Sequence, residues 1–414
     1  MSQKLFKIVA LVLLGVLLAT LPGLAGCAKE KGEVSEVAVG FLTDFTGVAC
    51  YAVKQLYDGT TDYFSVVEEE NLIPGVRIRC ITADTRTEYA RLVPGYLWLK
   101  GQGAVLMSVG AATDQEILAD RFEEDGIPCF GWQASTKLQG HKWLFTLHSS
   151  PQSQPEAILQ WIMDTWDYEG MGRKPRIGHI GATYGTTDHY QGGIDAFLRA
   201  NPEELDWVGV EKAPMGTSAW AVEISRLEDC DFIIVSLVGP MVASFVREAR
   251  GRWYDGSLVS GIEGFPGYWD LVTAAVSPED LYGCFFAFFE PWWTEDVPYI
   301  NELKEYTLTH YSPAEAEVRM RQSGYLTGWA VGMVMADVIR RAVEEAGAGN
   351  VDRTAIRDAL AEIDTTVEGF GNPWRFAQNQ NFLCRAQRVF EWSATEKEWF
   401  AASDWITPPL LAGG

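Results

Sequence analysis

Strand-like and helix-like stretches take turns along this chain, and after Pro151 the whole pattern starts again. Val37 to Leu42 reads as a strand, Tyr51 to Glu70 as a helix, Val76 to Thr82 as a strand, and Thr87 to Leu99 as a helix strained by Pro94. Gly103 to Ser108, Gln115 to Glu124 and Ile127 to Trp132 continue the alternation. The second round runs from the helix Pro155 to Tyr168 through the strands Arg176 to Ile180, Trp207 to Ala213, Asp231 to Leu237 and Ser257 to Gly261, with helices between them. Short apolar strands separated by helices predict a parallel sheet covered on both faces. Two rounds predict two such lobes, which suits a length of 414 residues.

The last third does not open a third round. Leu281 to Phe289 reads as an aromatic strand, Gly324 to Ala346 as one long apolar helix, Asp352 to Glu362 as another helix, and Gly369 to Trp405 as short strands. These pieces are expected to finish both lobes, with the chain crossing between them more than once. The expected division is 37–150 plus about 285–366 for the first lobe and 151–284 plus about 367–405 for the second.

The N-terminus carries an address. Lys4 and Lys7 precede an apolar run from Ile8 to Leu21, which is short of the ~20 residues a spanning helix needs and suits a signal-peptide core. Leu24-Ala25-Gly26-Cys27 follows and is similar to a bacterial lipobox, in which the Cys thiol is acylated and becomes the new N-terminus. Residues 1–26 are therefore expected to be a signal peptide and 27–36 a polar tether, with an uncleaved anchor helix as the alternative. Either way the remainder lies outside the cytoplasmic membrane.

A net charge of −23 repels nucleic acid, and no basic cluster offsets it. The six cysteines beyond Cys27 are scattered without a C-x-x-C pair, which speaks against a zinc or redox motif. Cys80, Cys129 and Cys230 adjoin apolar runs and read as small core residues. One or two disulfides remain open. The five histidines form no metal or nucleophile motif, although Asp188-His189 invites an acid–base reading. No cofactor, metal or catalytic residue is expected.

In open parallel sheets, ligands gather beyond the carboxyl ends of the strands, at loop amides and helix starts. After the third strand come Ser108, Gly110, Ala111, Ala112 and Thr113, small residues and hydroxyls that suit a carboxylate and serve equally as a helix cap. Gln133, Ala134, Ser135 and Thr136 repeat that chemistry after the fourth strand. In the second lobe Glu263 stands in Gly261-Ile262-Glu263-Gly264, where it can pair with an ammonium or act as a solvated loop acid. Tyr51 and Tyr184 are candidate walls.

With these residues in place, the chain resembles the branched-chain amino acid (Leu/Ile/Val-binding) type of periplasmic binding protein, the substrate-binding component of ABC importers. "VAVGFLTDFTGVACYA", "ILADRFEEDGIPCFGWQASTKL", "LFTLHSSPQSQ", "FVREARGRW" with "VSGIEGF", "GYLTGWAVGMVMADVIRRA" and "GNPWRFAQNQNF" follow that family's order along nearly all of the chain beyond the leader. The resemblance implies two Rossmann-like lobes of the type I periplasmic binding fold, a multi-strand hinge and a ligand cleft between the lobes. It implies that Ser108 or Thr113, Gln133 and Ser135 hold a ligand carboxylate. Glu263 would hold the α-ammonium, and Tyr51 with Tyr184, or its rival Tyr190, would wall the site. It implies an ABC permease as partner, a small ligand such as an amino acid, amide or related polar solute, and a lipoprotein held to the membrane through Cys27. A sensor presenting its ligand to a receptor is the alternative. The turn Ser-Val-Gly-Ala-Ala-Thr, with fewer hydroxyls than the family's, together with Trp132, Phe265 and Trp292-Trp293, departs from the amino-acid binders and leaves the ligand open.

Overall fold

The computed structural model describes residues 34–261, 264–376 and 380–408. Two sheets organise the molecule. The first has six strands in the spatial order Phe382–Cys384, Leu144–His148, Cys129–Gln133, Leu106–Val109, Ser35–Thr43 and Val76–Asp84, every neighbouring pair parallel. The second has seven, in the order Glu398–Ala401, Arg388–Ser393, Cys284–Phe288, Ser257–Ser260, Phe232–Ser236, Arg176–Ala182 and Asp206–Ala213. Its last five run parallel and the first two close one edge antiparallel.

The strand Ser35–Thr43 shows why these sequences choose parallel sheets. Val37, Val39 and Phe41 enter one apolar core, while Ala38 and Leu42 enter another on the opposite face with Leu92, Leu99, Leu118 and Phe122. A strand buried on both faces needs an apolar run rather than an alternating one. Helix Tyr89–Gly101 continues through Pro94, so the expected strain does not break it. The long helix Ser323–Ala346 lies so close to helix Cys50–Glu69 that a Cβ at Gly328 would stand 2.1 Å from the Leu56 carbonyl oxygen.

The chain passes between the sheets three times: after Leu144–His148, after Cys284–Phe288 and after Phe382–Cys384. Two of these passages are one strand away from their expected places. Cys284–Phe288 adds to the second sheet beside Ser257–Ser260, so the return to the first lobe comes after it, not at about residue 285. Phe382–Cys384 adds to the first sheet beside Leu144–His148, inside the stretch expected for the second lobe. Both strands are apolar throughout, and nothing in their own residues says which sheet edge receives them.

At the crossings His148 and Glu290 are fully buried and joined by a 2.7 Å contact from Nε2 to Oε1, with Phe289 stacked on the imidazole at 4.5 Å. The six cysteines beyond Cys27 are all free thiols, four of them buried. The leader, Cys27 and most of the expected tether lie outside the described residues, and the first strand begins at Ser35. Among the described residues, no helix is long and apolar enough to cross a membrane.

Candidate functional site

In each sheet there is one point where the strand order reverses direction. In the first it falls between Ser35–Thr43 and Leu106–Val109, and in the second between Arg176–Ala182 and Phe232–Ser236. The loops leaving such neighbours diverge to opposite faces and leave a crevice at the strand ends. Here the two crevices face each other. They enclose a cleft of about 910 Å³, part of it open to solvent.

From the first lobe the cleft receives Thr43, Asp44, Gly110, Asp114, Trp132 and Gln133. From the second it receives Tyr184, Thr186, Met215, Val238 and Tyr268, and the start of helix Ser323–Ala346 closes one end with Ser323, Gly324 and Thr327. The loop after the first strand is held by its own acid. Asp44 accepts hydrogen bonds from the Gly47 N–H (2.5 Å), the Ala49 N–H (3.0 Å) and the Thr87 hydroxyl (2.6 Å). Gly47 is required there, because a Cβ would stand 2.3 Å from the Arg86 carbonyl oxygen. Gly110 leaves room for the Trp132 indole, whose Nε1 would lie 3.0 Å from a Cβ at that position.

Helices Cys50–Glu69, Ala112–Asp125, Gly185–Ala200, Pro240–Gly251, Phe265–Ala275 and Ser323–Ala346 all begin at or beside the cleft. None is capped by the side chain of its N-cap residue, a trait they share with helices elsewhere such as Tyr89–Gly101 and Pro298–His310, and the Phe265 N–H donates to Ser260 Oγ at 2.8 Å. Backbone N–H groups left at a helix start suit a ligand acceptor. Among the described lining residues there is no Lys, Arg or His. The two carboxylates are Asp44 and Asp114, and burial pushes the Asp114 carboxyl up to about 7.

Of the residues singled out in the sequence, Gly110, Ala111, Trp132, Gln133 and Tyr184 line the cleft. Ser108 lies in the strand itself and faces a smaller hollow of about 320 Å³ that shares Leu42, Gly110 and Trp132 with the cleft. The Thr113 side chain packs where the lobes meet, close enough that a Cβ at Gly185 would stand 2.7 Å from its hydroxyl oxygen. Ser135 is buried away from the cleft, donating to Glu116 Oε1 at 2.5 Å and capping the turn Thr136–Leu138. Tyr51 does not wall the cavity. Its hydroxyl donates across the lobes to Asp270 Oδ2 at 2.6 Å, and its ring stacks on Tyr268 at 6.4 Å. Tyr190 is buried in the second lobe and donates to Gln154 Oε1 at 2.5 Å. Glu263 and Cys27 lie outside the described residues.

Trp292, Trp293 and Phe265 are core residues; the two indole N–H groups donate to Glu398 and to the Gln322 carbonyl. Asp188 accepts from Lys212, while His189 faces Glu116 of the first lobe at 3.5 Å, so these neighbours in sequence do not pair. Sequence reasoning missed Asp114, Tyr268 and the start of helix Ser323–Ala346. The signal for Asp114 was present, an acid in the first turn of a helix beside a small-residue turn; nothing marked the other two.

A family model described as periplasmic binding protein matches residues 36–397. No curated protein matches the chain. Among solved structures, a branched chain amino acid ABC transporter protein from Thermus thermophilus with bound valine superposes with a TM-score of 0.79 at 16% identity, over 92% of this chain and 99% of that one. A fatty acid ABC transporter substrate-binding protein from Thermomonospora curvata gives 0.75 at 16% identity, over 93% and 96%. A solute-binding protein from R. palustris in complex with benzoate gives 0.72 at 12% identity, over 90% and 97%.

Proposed function

We infer that this chain, which belongs to the periplasmic binding protein family, is the extracytoplasmic solute-binding component of an ABC importer. It captures a small polar solute of amino-acid or amide-like chemistry between its lobes and delivers it to a permease. One observation carries this reading: a cleft is walled by both lobes at their strand-order reversals, with helix starts at its rim.

The solute meets the first lobe at the loop after Ser35–Thr43 and the start of helix Ala112–Asp125. The second lobe then turns about the three crossings and brings Tyr184 and Tyr268 onto it. Closure is favoured because the solute touches both walls only when the lobes meet. Tyr51 to Asp270, and His189 to Glu116, join the lobes outside the cavity and hold the closed geometry. Gln133 and Tyr184 are proposed solute contacts, and Glu263 remains a candidate two residues before helix Phe265–Ala275, which supplies Gly267 and Tyr268. Selectivity follows from polar groups that a wrong solute leaves buried and unpaired.

The neighbouring structures carry valine, benzoate or a fatty-acid description, which leaves the solute to be argued from this chain's own cleft. Small-angle scattering should show compaction when a binding solute is added; equal dimensions with and without a solute that binds by calorimetry would reject closure. The lipid anchor is proposed from Leu24 to Cys27 alone. Labelled palmitate should enter the wild-type protein and not Cys27→Ser.

A further inference from the structure

The cleft is unevenly provided with charge. Among the described residues that line it there are two carboxylates and no Lys, Arg or His. Asp44 is occupied by two backbone N–H groups and the Thr87 hydroxyl. Asp114 is different. Among the described residues its side chain has neither a hydrogen bond nor an ion pair, and burial alone holds its pKa above the usual carboxylate range. Three aromatic side chains share the same cavity, Trp132 from the first lobe with Tyr184 and Tyr268 from the second.

We propose that the cleft selects a solute bearing an ammonium group on an apolar body, with the Asp114 carboxylate as its ion-pair partner and Trp132, Tyr184 and Tyr268 as the aromatic walls around it. This rests on the solute-capture reading above and narrows it. A carboxylate taken out of water without a partner is costly, and an incoming cation removes that cost while aromatic faces attract it. An anionic solute meets Asp114 as a like charge and finds no basic side chain in the described lining. The amides at the starts of Ala112–Asp125 and Gly185–Ala200 accommodate an acceptor oxygen on the same solute. An amino-acid zwitterion or an amino amide is therefore admitted, and a bare carboxylate is not.

Two matched series separate the charges while keeping the body constant: phenethylamine, phenylalanine and 3-phenylpropionate, then isoamylamine, leucine and 4-methylvalerate. Titration calorimetry on the full chain should find the amine or the amino acid of at least one series binding about tenfold or more tighter than the matched acid. Asp114→Asn should weaken that amine-bearing probe by about tenfold or more, since a charge-assisted pair is replaced by a neutral one. Tyr184→Leu, which keeps an apolar wall and removes the π-face, should weaken the amine about threefold or more. Equal or tighter binding of the acids, or an amine affinity unchanged in Asp114→Asn, overturns the proposal. If an acid binds and compacts the protein, solute capture stands and only the charge preference falls. If no probe of either series binds, the charge preference falls, and solute capture is decided by the scattering test with a solute that does bind.

Discussion

The hinge and the cleft each take a carboxylate out of water, and the chain treats the two in opposite ways. Glu290, at the second crossing, is fully buried and meets His148 of the first crossing at 2.7 Å, with Phe289 stacked over the imidazole. Asp114, on the cleft wall, is half-buried, and its side chain has no partner among the described residues. Asp44 stands between them: it lines the cleft yet is satisfied by its own loop. An acid that holds the frame is given at least one donor by the fold: Glu290 Oε1 meets His148 Nε2, although among the described residues its Oε2 has no hydrogen bond. An acid left without any is one that the fold keeps for a visitor, at a cost in the empty state.

The sharpest way to break the contrast is at the hinge. Glu290→Ala leaves His148 buried without its partner and should cost about 3–5 kcal/mol of unfolding free energy. Urea denaturation followed by tryptophan fluorescence measures it, and a loss below about 1 kcal/mol would show that the pair is not a structural element. Asp44→Ala removes the acceptor of two N–H groups and one hydroxyl in a half-open loop, for a loss of about 1–3 kcal/mol. That the loss appears without any solute separates Asp44 from a residue that acts only on binding.

Asp114→Asn should do the reverse. Burial pushes the folded-state pKa of Asp114 up to about 7, from an ordinary carboxylate value near 4. The folded state then favours the protonated form, so its contribution is intact below pH 4 and is lost as the pH rises through about 7. The Asn variant escapes that loss. Without solute it should match the wild type at pH 4 and exceed it by roughly 1–3 kcal/mol at pH 8. Other ionisable groups near Asp114 are Asp44 on the first loop, Tyr89 at the start of helix Tyr89–Gly101, and Glu116 half a turn further along its own helix. Glu116 is already engaged by Lys137 and Ser135. A variant less stable than the wild type at pH 8 would mean that Asp114 has a partner in the empty protein, and the contrast with Glu290 would dissolve.

Much of the architecture could be read from residues in order. The alternation of apolar strands and helices gave two α/β lobes, the restart after Pro151, and the loops at which to look for a site. Those signals are local: a strand buried on both faces writes itself as an apolar run, and a helix as a period of about 3.6. Which strand joins which sheet was not local. Cys284–Phe288 and Phe382–Cys384 are placed by the edges that were free to receive them.

The site divides in the same way. The turn after the third strand was found, but the hydroxyls chosen on it face elsewhere. Thr113 and Asp114 are neighbours on one helix and point about 100° apart, so a turn can be located while its cleft-facing side chain is misassigned. Tyr51 pointed to the right helix and the wrong ring, since the aromatic wall it suggested is Tyr268, more than two hundred residues away and stacked against it. The sequence by itself determined the two α/β lobes, a chain that crosses between them more than once, and an acidic balance of charge. Only the tertiary structure decided which side chains share the cleft, because its walls come from segments far apart in sequence whose side-chain directions are fixed by packing, not by order along the chain.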